Sequence, residues 1–126
     1  MRFLHWMPAF ATAILIFVLS HQSRPLGGEL APDYFLHGLG YAGFALTLVW
    51  GATTGLTLPL NTARSLSCWL LAVGYGILDE LHQSVIPLRT ASAVDVAADA
   101  AGAGLAIFAA WLWLRPKRPG EKGGGA

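Results

Sequence analysis

Residues 79–99 read DELHQSVIPLRTASAVDVAAD, and they interrupt the most apolar half of an apolar chain. LLAVGYGIL (70–78) runs up to them and AAGAGLAIFAAWLWL (100–114) runs away from them. Asp79, Glu80, His82, Gln83, Arg89, Asp95 and Asp99 all fall inside this window. Such a pattern reads as the end of one helix, a short polar turn at Pro87 to Ser92 and the start of a second helix. A hairpin with apolar arms and an ionisable tip belongs in a lipid bilayer rather than in water.

The rest of the chain agrees. It is 55% hydrophobic and 12% charged over 126 residues, whereas about a quarter of a soluble domain is charged. Residues 3–23 and 34–63 contain no Lys, Arg, Asp or Glu. A helix crosses the hydrocarbon core with roughly 20 mainly apolar residues, since its backbone polar groups must be satisfied internally. The expected fold is an all-α membrane protein, a bundle of four transmembrane helices near 4–20, 34–57, 65–86 and 93–114. Residues 1–114 form a single domain, and 115–126 (RPKRPGEKGGGA) form a basic, Pro/Gly-rich, disordered tail. The first apolar run exceeds a usual signal-peptide core, so it is expected to stay as an uncleaved helix despite Val18-Leu19-Ser20.

Cytoplasmic loops carry the excess of Lys and Arg. With the N-terminus inside, Arg2, Arg64, Arg115, Lys117, Arg118 and Lys122 are cytoplasmic, and only Arg24 and Arg89 are outside. Both termini are therefore expected in the cytoplasm, in a multi-pass protein of the bacterial plasma (inner) membrane. The net charge of +1 gives no reason to expect a nucleic acid partner. Cys68 is the one cysteine, which leaves no intrachain disulfide and no cysteine-based zinc motif.

This orientation brings Asp33, Asp79 to Gln83 and Asp95 to one extracytoplasmic level. Asp33, His37 and Tyr41 recur every four residues and share a helix face. Asp79, His82 and Gln83 are expected on one face of the third helix, and Asp95 and Asp99 on one face of the fourth. Ser92 and Asp95 fit a capped, dipole-favoured helix start. Asp99 lies about two turns in, where an unpaired carboxylate is costly. Arg24 and Arg89 are too few to pair all the nearby carboxylates, so at least one is expected to be protonated or cation-bound. Small-residue ridges at Ala98/Gly102/Ala106 and Gly51/Gly55 suit close helix packing, with homo-oligomer formation as a second use.

The pattern Asp33-x3-His37-x3-Tyr41, then Asp79-Glu80-x2-Gln83-x5-Arg89-x5-Asp95-x3-Asp99-x2-Gly102, resembles the VanZ-like family. YGILDELHQSVIPLRTASAVD is its strongest part, and the resemblance covers about residues 33–104. It departs at Asp99, where the family usually has Asn, and at Tyr34, where a basic residue often follows the Asp. The resemblance implies a small multi-pass membrane protein from a family named for low-level resistance to the glycopeptide teicoplanin. It brings no established reaction.

Two functions follow. In the first, the cluster binds or acts on a cell-envelope lipid, a cell-wall precursor or another lipid-linked or glycopeptide ligand. Glu80, Asp79, His37 and His82 are then the candidate acid/base groups, and Arg89, Arg24, Gln83, Asp33, Tyr41, Asp95 and Asp99 the binding groups. No HExxH or comparable compact motif is present, so no metal ligands are assigned, and the cofactor is left open. In the second, the cluster is a structural network within a non-enzymatic interaction module. Ion passage ranks last, because the inner halves of the helices lack polar residues.

Overall fold

The computed structural model describes residues 2–24 and 27–115; residues 116–126, where the basic tail is expected, lie outside them. The described residues are helical, with no strand: a 3-10 turn Arg2–Trp6, then α1 (Met7–Ser20), α2 (Asp33–Ala52), α3 (Thr62–Gln83) and α4 (Ala93–Leu114). The hairpin read from residues 79–99 is present as the end of α3, a turn and the start of α4.

The end of α2 and both ends of α3 differ from expectation, each for a local reason. α2 stops at Ala52, not at residue 57. Thr53 Oγ1 donates to Val49 O (2.7 Å) and accepts from Leu56 N (3.2 Å). The chain then passes through positive φ at Thr54, Gly55 and Leu56, which reverses it. Gly55 is thus a turn glycine, and the Gly51/Gly55 pair is not a helix ridge. α3 begins at Thr62, where Asn61 Oδ1 accepts from Arg64 N, and ends at Gln83 rather than 86. There Val85 N and Ile86 N bond back to His82 O and Gln83 O, tightening the chain just before Pro87. α4 occupies the expected range, with Ser92 Oγ accepting from Asp95 N at 3.2 Å.

The helices alternate up and down. α2 and α4 make the most extensive contact; α3 packs mainly on α4, and α1 mainly on α2. Gly38 and Gly102 explain the first pairing. A Cβ added to Gly102 would run into the Gly38 carbonyl oxygen, and one on Gly38 would lie 3.3 Å from Ala98 O. Backbone therefore meets backbone there, the geometry small residues allow in lipid. The Ala98/Gly102 ridge is used inside the chain. At the opposite end Trp6 covers Gly51, whose added Cβ would sit 2.6 Å from the indole, and Leu60 N donates to Leu114 O (2.9 Å).

Arg2–Ser20, Asp33–Ala52 and Ala93–Leu114 are each long and apolar enough to cross a membrane. Large apolar side chains cover the outside, among them Phe10 and Ile14 on α1, Leu39 and Leu46 on α2, and Leu105 and Phe108 on α4. A soluble monomer does not normally expose so continuous an apolar surface. Polar groups are inside instead: Asp79, Glu80, Gln83, Asp95, Asp99 and His37 are all buried.

Candidate functional site

The buried polar groups meet where α1 and α3 end and α2 and α4 begin, and they form two linked sets. The first runs across three helices and the α3–α4 turn. Ser20 Oγ donates to Asp79 Oδ2 (2.9 Å), and Gln83 Nε2 donates to the same oxygen (3.1 Å). Arg89 donates to Gln83 Oε1 through Nη2, and its Nη1 stands 3.4 Å from Asp33 Oδ2. A guanidinium can hold two partners this way because its donors form a rigid planar fork.

The second set centres on His37. Its Nδ1 lies 3.1 Å from Asp99 Oδ1, and its Nε2 lies 3.7 Å from Glu80 Oε1. The other Glu80 oxygen accepts from Ser92 N (2.7 Å), which ties α3 to the cap of α4. Tyr41, one turn below, stacks on the imidazole with rings 5° from parallel. Asp99 is fully buried, and a Cβ on Gly76 would stand 2.7 Å from its second oxygen. That glycine makes the room that lets a carboxylate lie so deep between α3 and α4.

A cavity of about 120 Å³ opens beside these sets. Its lining mixes polar Ser20, Asp33, His37, Tyr41, Asp79 and Arg89 with apolar Ile16, Leu19 and Leu36. A ligand with an anionic or hydrogen-bonding head and an apolar body fits such a lining better than a wholly polar solute does.

The match that places this chain among known proteins spans nearly all the described residues: the VanZ/LLP1 family model covers residues 2–114. The chain belongs to the VanZ/LLP1 family. No curated protein and no solved structure matches it. With its apolar helices, membership marks it as a membrane protein.

In this VanZ/LLP1 chain most of the residues singled out in the sequence converge. Asp33, His37, Tyr41, Asp79, Glu80, Gln83, Arg89 and Asp99 are joined by the contacts above. Asp95 comes within reach of Asp33 and His37, with one ligand atom from each within 4.8 Å of the others. Two residues lie elsewhere. His82 turns toward the end of α1, with Nε2 3.2 Å from His21 Nδ1 and its ring 4.7 Å from that of Phe17. The face it shares with Asp79 is the one turned to α1, where Ser20 meets Asp79 and His21 meets His82, so His82 lies beside the polar cluster rather than in it. Arg24 is exposed in the loop after α1 and, among the described residues, neither lines the cavity nor forms an ion pair.

Sequence reasoning missed Ser20, Ser92 N–H as a partner of Glu80, and Gly76 as the space around Asp99. Ser20 had a signal: it is the polar residue that ends an apolar run at the same level as Asp33 and Asp79. Gly76 had none, because its role depends on which helix faces it.

Proposed function

We propose that this protein is a four-span protein of the bacterial plasma membrane that binds, and acts on, an anionic cell-envelope lipid or lipid-linked cell-wall precursor from the outer leaflet. The observation that carries the reading is the cavity whose lining combines a guanidinium, an imidazole and carboxylates with leucine and isoleucine. Arg89 would hold a phosphate or carboxylate head, with Asp33 as the counter-charge it exchanges. His37 and Asp79 line the cavity and would move protons there, while Glu80 acts on His37 from behind. The link to teicoplanin resistance is the family's, and here it is the corollary of acting on a wall precursor.

α3 fits a fourth span. It has 22 residues, about 33 Å of helix against a hydrocarbon core of about 30 Å. Leu66, Leu70, Leu71, Ile77, Leu78 and Leu81 are exposed along it, and its polar residues Asp79, Glu80 and Gln83 are buried. The most polar residues of its last turns, Asp79, Glu80 and Gln83, are thus kept away from the lipid-facing side.

The test uses the full chain in detergent and native mass spectrometry with phosphatidylglycerol, a polyprenyl phosphate and, as neutral control, phosphatidylcholine. Retention of the anionic lipids, weakened at least tenfold by Arg89→Gln, is the expected result. Equal retention of all three lipids, or an Arg89→Gln protein that binds as wild type, would discard the reading. A second reading has its own observation, the continuous bonding from Ser20 through Asp79, Gln83 and Arg89 to Asp33. As a purely structural network it requires that Glu80→Gln reduce accumulation. A Glu80→Gln protein that accumulates normally but no longer lowers teicoplanin susceptibility in an expressing host supports acid/base chemistry instead.

A further inference from the structure

We infer that Asp33 and His37 of α2 and Asp95 of α4 form a binding site for a divalent transition-metal cation, with the buried Glu80 of α3 beside its histidine. No metal-binding spacing is visible in the sequence, because the donors come from two helices.

One donor atom from each of Asp33, His37 and Asp95 lies within 4.8 Å of the other two. Ligands 2.0–2.2 Å from a tetrahedral zinc ion stand about 3.4 Å apart, so side-chain shifts of up to roughly 1 Å bring the three donors onto one ion. His37 is oriented for the task. Asp99 engages Nδ1 at 3.1 Å, the carboxylate–histidine contact that fixes the tautomer and leaves Nε2 as the ligating nitrogen.

Glu80 supplies an independent indication. Its Oε1 is buried, has no hydrogen-bond partner among the described residues, and lies 3.7 Å from His37 Nε2. Its other oxygen is already held by Ser92 N–H. An orphaned carboxylate oxygen directed at a histidine nitrogen is costly unless a cation stands nearby.

The charges point the same way. Among the described residues Arg89 is the one fixed cation in the cluster, and it engages Asp33 and Gln83. Asp79, Glu80, Asp95 and Asp99 are each at least nine-tenths buried. Even a protonated His37 leaves carboxylates in excess, which a dication offsets. One imidazole with carboxylates suits zinc or manganese better than magnesium or calcium, which favour all-oxygen sites. Asp33 and His37 also line the cavity, so a bound ion would face whatever enters it. The ion site stands without the lipid reading; only its use toward an anionic head rests on that reading.

The full chain, purified in detergent without a polyhistidine tag and stripped with a chelator, is titrated with Zn²⁺ and Mn²⁺ by calorimetry. One ion per chain is expected, with a rise in Tm, and X-ray absorption of the zinc form should show oxygen donors and one imidazole. Asp33→Asn and His37→Gln should each weaken binding at least tenfold, while Glu29→Gln in the α1–α2 loop should not. The half-exposed Asp33 side chain makes that variant the one safest for folding. Absence of saturable binding in wild type, wild-type affinity in Asp33→Asn, or a zinc shell without imidazole would each overturn the site. None of these readouts depends on lipid retention, so the two ideas can fail separately.

Discussion

His37 is the residue on which the polar cluster turns. It faces Asp99 with one nitrogen and Glu80 with the other, and its ring lies parallel to Tyr41. Removing one partner of a buried charged set leaves the other uncompensated, at about 3–5 kcal/mol. His37→Ala should therefore lower the unfolding temperature in detergent strongly. Asp99→Asn should do so far less, because an amide oxygen still accepts from Nδ1 and the deepest carboxylate is gone. Thermal unfolding followed by tryptophan fluorescence compares them, and equal destabilisation by the two variants would remove His37 from this central place. The residue scale is also where the sequence was most legible. Asp33, His37 and Tyr41 line one cavity because four-residue spacing nearly closes a helical turn. Asp79 and Gln83, with the same spacing, are hydrogen-bonded to each other. His82, three residues after Asp79, also turns to α1, but it meets His21 past the edge of the cluster, a distinction that only packing makes.

Between elements, the decisive contact is the near touch of α2 and α4 at Gly38 and Gly102. Without a hydrophobic force between helices in lipid, such close backbone packing has to supply much of the association. Gly102→Ala would drive a methyl into the Gly38 carbonyl, which cannot give way as a flexible side chain can. That variant should accumulate poorly and unfold at much lower temperature. Gly43→Ala and Gly74→Ala meet nothing within 4 Å and should be tolerated. If all three alanine variants behave alike in a thermal unfolding series, the α2–α4 contact is not what holds the bundle. The sequence displayed many glycines without ranking them, since their backbone partners lie on other helices. Helix ends divide in the same way. The start of α4 was readable from Ser92 and Asp95, whose cap is local. The end of α2 was not, because Leu56, Leu58 and Leu60 extend an apolar run that the backbone leaves at Thr53.

For the molecule as a whole, function depends on which side of the membrane the polar end faces. All four helices alternate, so Ser20, Asp33, Gln83 and Ser92 lie at one end and Trp6, Gly51, Leu60 and Leu114 at the other. The second end carries Arg2, Arg64 and Arg115, and the basic residues 117, 118 and 122 follow in the chain. In the proposed orientation, which follows the bias of Lys and Arg, this end faces the cytoplasm. In a Cys68→Ala background, Thr90→Cys in the α3–α4 turn should react with a membrane-impermeant maleimide in intact cells. Ala63→Cys, exposed at the start of α3, should react only after permeabilisation, and a reporter fused after Ala126 should read as cytoplasmic. Labelling of both cysteines from outside would mean that α3 does not cross, and the polar cluster could not then sit inside a four-span bundle. A fully inverted pattern would keep the bundle but turn the cavity to the cytoplasm. Its ligand would then be an inner-leaflet lipid or a cytoplasmic anion, and the lipid and metal experiments would be read on that side.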